Sequence, residues 1–172
     1  MRAWVLFASL LLVTLAGCAG TPRGPANDST IEPVADEPAE AYQAVPLDGG
    51  APGLPDGDVV LLTVWASWCS ICKGDEPIWD ALQADYGAQD FTVFAVSREA
   101  READAQAYHD GTDFSYRMLW DKDVNRFWGM RDYQPNHVLI DRDGEVVFAY
   151  EGSLRARSGG EEQLRQDIEA LL

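Results

Sequence analysis

Positive charge is what this 172-residue chain has least of. It carries 13 Lys+Arg against 29 Asp+Glu, a formal charge of −16. Its lysines are Lys73 and Lys122 alone, so the sparse cations are mostly arginine. Binding to nucleic acid needs cationic side chains gathered along the phosphates, and no such cluster is visible, so nucleic acid is not an expected partner. The acidic balance otherwise describes a soluble surface. Histidine is as scarce, with His109 and His137 standing apart. Cysteine occurs three times, as Cys18, Cys69 and Cys72. A structural zinc site takes four ligands, commonly two spaced pairs. Nothing downstream of Cys72 supplies a second pair, which argues against a metal. No internal repeat is apparent.

Long apolar runs are also missing, except at the start. "MRAWVLFASLLLVTLAGC" has one basic residue, Arg2, then an apolar stretch from Ala3 to Ala16. That stretch is shorter than the ~20 residues a membrane-spanning helix needs. Charged, apolar and small-residue parts follow in the order of a secretory signal. Leu15-Ala16-Gly17-Cys18 resembles the lipobox of bacterial lipoproteins. The resemblance implies a signal peptide over residues 1–17, cleavage before Cys18, and lipid on Cys18. Several acyl chains would hold the protein to a membrane, where one chain gives only marginal binding. The plainer alternatives are an ordinary cleaved signal with an incidental cysteine, or an uncleaved anchor.

Residues 18–45 follow as a Pro-, Ala- and acid-rich stretch without a sustained apolar period. Such a segment buries too little surface to offset its ordering entropy. It is expected to be a flexible tether between lipid and a domain spanning residues 46–172. Within that domain "DVVLLTVWA" (58–66) and "DFTVFAVSR" (90–98) are continuous apolar runs, suited to strands buried on both faces. Ile78, Leu82 and Tyr86 fall at helical spacing between them, and Ala100, Ala103 and Ala107 suggest a further helix. Residues 124–130 read as a short helix with Phe127 and Trp128 as core candidates. Residues 136–141 and 145–152 flank "DRDG", a hairpin turn signal. The same letters occur in calcium loops, but the distal Glu ligand is missing. Leu164, Ile168, Leu171 and Leu172 give a last helix its apolar face. The order predicts an α/β fold, with a mixed central sheet flanked by helices.

The informative feature is "WASWCSICKGDEP", residues 65–77. A disulfide between Cys69 and Cys72 closes a very small loop and removes little unfolded-state entropy. A redox role fits better. The pair sits where a strand ends and a helix begins, and there the unpaired N–H groups and the helix dipole stabilise a thiolate.

This stretch resembles the active site of thioredoxin-like proteins, in particular the TlpA-like thiol–disulfide oxidoreductases of the bacterial envelope. Their pattern W-A-x-W-C-x-x-C-(K/R)-x-(acid)-x-P is matched by Trp65, Trp68, Cys69, Cys72, Lys73, Asp75 and Pro77. A second landmark, x-P-T-T-F-L-I-D, appears here as Gln134-Pro135-Asn136-His137-Val138-Leu139-Ile140-Asp141. The resemblance implies a thioredoxin-like fold and a cis proline at Pro135, set against the cysteines. It also implies a carboxylate at Asp75 near the thiols. Two departures stand out. Thr63 occupies the place where thioredoxin has a buried Asp, so proton transfer to the resolving thiol needs another group or water. Gln134, Asn136 and His137 replace smaller residues around the proline, which bears on partner choice.

Exchange chemistry then assigns roles: a thiolate attacks a disulfide sulfur and a neighbouring thiol resolves the mixed disulfide. Cys69, nearer the helix end, is expected to attack and Cys72 to resolve. Trp68 is expected to pack beside the site. Lys73 either lowers a thiol pKa or is simply solvated, and His137 reads as an ordinary strand residue. No cofactor is required, because the two sulfurs carry the electrons. The expected partners are protein thiols and disulfides, with an upstream membrane dithiol as electron donor. The resemblance favours a reductase of envelope proteins, such as one acting on the haem-ligating cysteines of apocytochromes c. Copper handling by a thioredoxin-fold metallochaperone and a non-catalytic tethered module are the alternatives. Peroxide reduction is weaker, lacking a peroxidase-type cysteine context.

Overall fold

The computed structural model describes residues 38–172. The expected signal peptide over 1–17, the lipidation site Cys18 and most of the expected tether lie outside the described residues. None of the described helices is long and apolar enough to cross a membrane.

Six strands form one mixed sheet in the order β1-β4-β3-β2-β5-β6. In chain order these are β1 (Val45–Pro46), β2 (Val59–Trp65), β3 (Phe91–Ser97), β4 (Arg117–Trp120), β5 (Asn136–Ile140) and β6 (Val146–Glu151). The helices are α1 (Ser70–Tyr86), α2 (Glu102–His109), α3 (Val124–Phe127) and α4 (Gly160–Glu169). β2, β3 and β4 run parallel, while β5 and β6 pair antiparallel to β2 and to each other. β2 sits between β3 and β5 with every residue buried, which is why it reads as an unbroken apolar run.

Alternate residues serve opposite faces. Leu61 and Trp65 of β2, Val93 of β3 and Leu139 of β5 pack with Trp79 and Leu82 of α1, Ala105 of α2, and Leu164 and Ile168 of α4. Leu62, Phe94 and Val138 pack on the other side, with Val124 and Trp128.

That second core also takes in Ala39, Tyr42 and Ala44. The chain therefore joins the fold ahead of residue 46, the boundary expected from composition. Tyr42 is 1% exposed, and its hydroxyl donates to Asp121 at 3.2 Å. One aromatic anchor holds a stretch whose remaining residues are polar or small. On α2 the buried position is Ala105 rather than Ala103 or Ala107. Around Asp141–Gly144 the carboxylate of Asp141 accepts from the N–H groups of Asp143 and Glu145 at 3.0 and 2.9 Å, as a turn requires.

Candidate active site

β2 ends at Trp65, and residues 66–69 turn the chain into α1. Cys69 is the N-cap of that helix, and its sulfur accepts the N–H of Cys72 at 3.2 Å. The two cysteines are joined as a disulfide, Cα to Cα 5.3 Å. Cys69 keeps 6% of its surface exposed and Cys72 none, so an outside group reaches the first sulfur and not the second. The turn is braced from the loop after β3: Glu99, itself buried, accepts both the N–H and the hydroxyl of Ser67 at 2.7 Å.

Trp68 is 63% exposed, with Ile71 and Tyr133 also outward, so Trp68 stands proud of the site rather than packing into it. Lys73 is exposed, and its ammonium lies 5.1 Å from the Tyr108 ring centre. The Tyr108 hydroxyl in turn donates to Glu76 at 2.7 Å. Burial raises the Glu76 pKa, with the Tyr108 hydrogen bond and the Lys73 charge opposing it.

Gln134–Pro135 is the one cis peptide bond among the described residues. Arg98, just past β3, donates to the Gln134 side-chain oxygen at 2.9 Å and pairs with Asp132. Asn136 ties the same segment from inside: its amide donates to the carbonyls of Tyr133 at 2.6 Å and Arg131 at 3.2 Å. The loop that carries the proline is therefore held from both sides.

Asp75 lies wholly inside. Its carboxylate accepts the Ser153 hydroxyl at 2.7 Å and the N–H groups of Leu154 and Arg155 at 2.9 and 3.0 Å. Behind it, His137 is fully buried too, its Nε2 3.8 Å from Asp75 Oδ2 and 3.2 Å from the Gly152 carbonyl. His137 is a strand residue of β5, as expected. Its partner Asp75 is distant in sequence, and only the fold brings the two together. Arg98, Glu99 and Ser153 are further residues around the site that sequence reasoning passed over, since each sits in a loop with no motif of its own. Among the described residues, no three His, Cys, Asp or Glu side chains gather as a metal cage.

Residues 51–149 match the AhpC/TSA family. The chain belongs to that family. It is 27% identical over 161 residues to thioredoxin-like protein YneN of Bacillus subtilis, covering 90% of this chain and 92% of that one. It is 29% identical over 129 residues to the thiol:disulfide interchange protein DsbE of Escherichia coli K12, covering 74% and 64%. Against the thiol-disulfide oxidoreductase ResA of Halalkalibacterium halodurans the match is 28% over 101 residues, covering 58% and 57%. Among solved structures, one described as a DsbE-type protein of Chlorobium tepidum superposes with TM-score 0.64 at 30% identity, over 78% of this chain and 97% of that one. The exposed lipoprotein thioredoxin Etrx1 of Streptococcus pneumoniae gives TM-score 0.64 at 26% identity, over 76% and 98%. The fold is thioredoxin-like. Together with the Cys69–Cys72 pair, this family member is a thiol–disulfide oxidoreductase of the ResA/DsbE type.

Proposed function

We propose that the protein is a lipid-anchored reductase of the bacterial envelope that exchanges its Cys69–Cys72 couple with disulfides of other envelope proteins, apocytochromes c among them. The observation that carries this reading is the asymmetry of the two cysteines, one at a helix N-terminus with 6% of its surface exposed and one wholly buried behind it. In the reduced protein the helix end favours the Cys69 thiolate. That thiolate attacks a partner disulfide and forms a mixed disulfide, and Cys72 then attacks Cys69 and releases the reduced partner. An upstream membrane dithiol returns the couple to its reduced form. Trp68, Ile71 and Tyr133 offer apolar contact around the reacting sulfur. Gln134 and Pro135 border the site, and Pro135 presents no N–H there. Lys73 and Asp75 set its charge.

The envelope location rests on the lipobox-like ending at Cys18 and on the likeness to a protein named as an exposed lipoprotein thioredoxin. The test is a pair of variants in the full chain. Cys72→Ser leaves a nucleophile that cannot be released, so mixed disulfides with envelope proteins accumulate on non-reducing gels, and mass analysis names the partners. Cys69→Ser gives no adducts. Adducts from Cys69→Ser but not from Cys72→Ser would reverse the roles. Intact mass of the mature chain checks the anchor: it should begin at Cys18 and carry added lipid.

A further inference from the structure

Two segments meet at the site, the turn of residues 66–69 that delivers Cys69 and the loop of residues 131–135 that delivers Pro135. β2 and β5 stop pairing at Val64 and Asn136, just short of both. Past that point, among the described residues, no hydrogen bond runs directly from one segment to the other. Each is bonded instead to one of two adjacent residues, Arg98 and Glu99, where the chain leaves β3. Arg98 extends the β2–β3 ladder by one step, its N–H donating to the Trp65 carbonyl at 2.9 Å. From that backbone its guanidinium reaches the proline loop. One N–H donates to Gln134 Oε1 at 2.9 Å and another group pairs with Asp132. The Arg98 side chain is 18% exposed. A guanidinium carries its N–H groups in a rigid fork, so this one side chain fixes two points of the loop at once.

Glu99, the next residue, serves the cysteine turn. That turn is closed by the Cys69 N–H, which donates to the Ala66 carbonyl at 2.9 Å, and Ser67 is its second residue. Glu99 Oε1 accepts the Ser67 N–H and the Ser67 hydroxyl, both at 2.7 Å. The Glu99 backbone is itself held, since its carbonyl accepts the Trp120 indole N–H at 2.9 Å. Glu99 is 5% exposed. A carboxylate buried that far is costly without hydrogen bonds, so the turn cannot move off it cheaply.

We propose that Arg98 and Glu99 act as one positioning unit that sets the gap between the Cys69 sulfur and the Gln134–Pro135 edge, and that Arg98 thereby determines preference for protein disulfides over small ones. The inference rests on the reading of the protein as an exchanger with protein disulfides. Neither residue touches a sulfur and neither moves a proton. What couples them is adjacency: their Cα atoms are about 3.8 Å apart across one peptide, so a shift of either segment is passed to the other through a single planar unit. A small disulfide needs only the Cys69 sulfur in place and therefore depends on Glu99. A partner protein also lies along the proline loop and depends on both residues.

The test follows single-turnover exchange of the reduced full-length chain, carrying Cys18→Ser so that two thiols remain, by acid quench, alkylation and mass. Two substrates are used in excess: bis(2-hydroxyethyl) disulfide, and a peptide with one intramolecular disulfide. Arg98→Ala should raise the half-saturating peptide concentration on the order of tenfold, with a much smaller loss in the limiting rate and with the small disulfide. Glu99→Ala should slow both substrates on the order of tenfold. Glu99→Gln, which keeps an oxygen for Ser67, should recover most of that rate. With the peptide, the double alanine variant should lose less than the product of the two single losses, as residues of one unit do. Equal losses on the two substrates in Arg98→Ala would overturn the inference, and so would fully multiplicative losses in the double variant. A Glu99→Gln protein as slow as Glu99→Ala would do the same, because charge and not position would then be what matters. If the alanine variants do not fold, Arg98→Lys decides: its single ammonium cannot span Gln134 and Asp132 together, so peptide saturation should weaken, and wild-type saturation would overturn the inference. Wild-type protein that exchanges with the small disulfide and never with the peptide would instead overturn the protein-disulfide reading, and no exchange with either would overturn the exchange reading itself.

Discussion

Asn136 and His137 are neighbours on β5 that point to opposite faces of the sheet. On the Asn136 side the packing partners are Val64, Val124, Trp128 and Val138. The Asn136 amide nitrogen is satisfied by the Tyr133 and Arg131 carbonyls and by Asn125 Oδ1 at 3.4 Å. Its work is to fix the loop that brings Gln134 and Pro135 to the surface. On the His137 side, Cys72 and Asp75 of α1 and Thr63 of β2 are buried, and each face leaves buried polar atoms without a partner among the described residues, Asn136 Oδ1 and Trp128 Nε1 on the first and Thr63 Oγ1 and His137 Nδ1 on the second. A buried polar group is costly unless it is hydrogen-bonded. On one face the polar side chains hold the proline loop, and on the other the Asp75 carboxylate is held by Ser153, Leu154 and Arg155 beside the buried imidazole.

The comparison can be broken in several ways. The largest effect should come from Trp128→Ala, which empties a fully buried site on the far face. It should lower stability by about 3–5 kcal/mol in denaturant unfolding, while thiol exchange in the surviving folded protein keeps its pH profile. A shifted profile would mean the two faces are not separate. Asn136→Ala should cost about 1–3 kcal/mol by stranding buried carbonyls and should speed protease cutting near residues 131–135. Unchanged protection there would remove the claim that Asn136 holds the loop.

The pH dependence of folding sharpens the other side. His137 has a lowered pKa when folded, so between the ordinary imidazole value of about 6.5 and its folded value the unfolded chain binds the extra proton. Stability should thus fall as pH drops below about 6.5, with a slope of up to ~1.4 kcal/mol per pH unit. His137→Gln should flatten that slope, seen by unfolding at pH 5 and pH 7, and an unchanged slope would show that the histidine is not held neutral. Asp75→Asn removes a negative charge near the thiols and should lower the apparent thiol pKa, read by alkylation rate against pH; superimposable curves would take Asp75 out of the site. The smallest change in stability belongs to Trp68→Ala, within about 0.5 kcal/mol. That variant should slow exchange with a protein disulfide more than with a small one.

Much of this was legible in the residues alone. β2, β3, β5 and β6 were readable because each is an apolar run bounded by turn residues. The cysteine pair was readable from its place between strand and helix. β1 and β4 were not, being two and four residues long, too short to set up a period. Tyr42 was hidden for a related reason, since one aromatic among prolines and acids carries no pattern. The Cys69–Cys72 pair and the cis bond at Pro135 came through because they belong to contiguous motifs. Arg98, Glu99 and the burial of His137 did not, because each depends on a partner far along the chain that only sheet register supplies.

The central claim is that Cys69–Cys72 is a working couple and not a structural bridge. Equilibrating the protein across a series of defined thiol–disulfide buffers, and counting free thiols by mass after alkylation, tests it most directly. The account predicts a reversible two-electron transition at a potential above about −300 mV. A bridge that stays oxidised well below that value would contradict it.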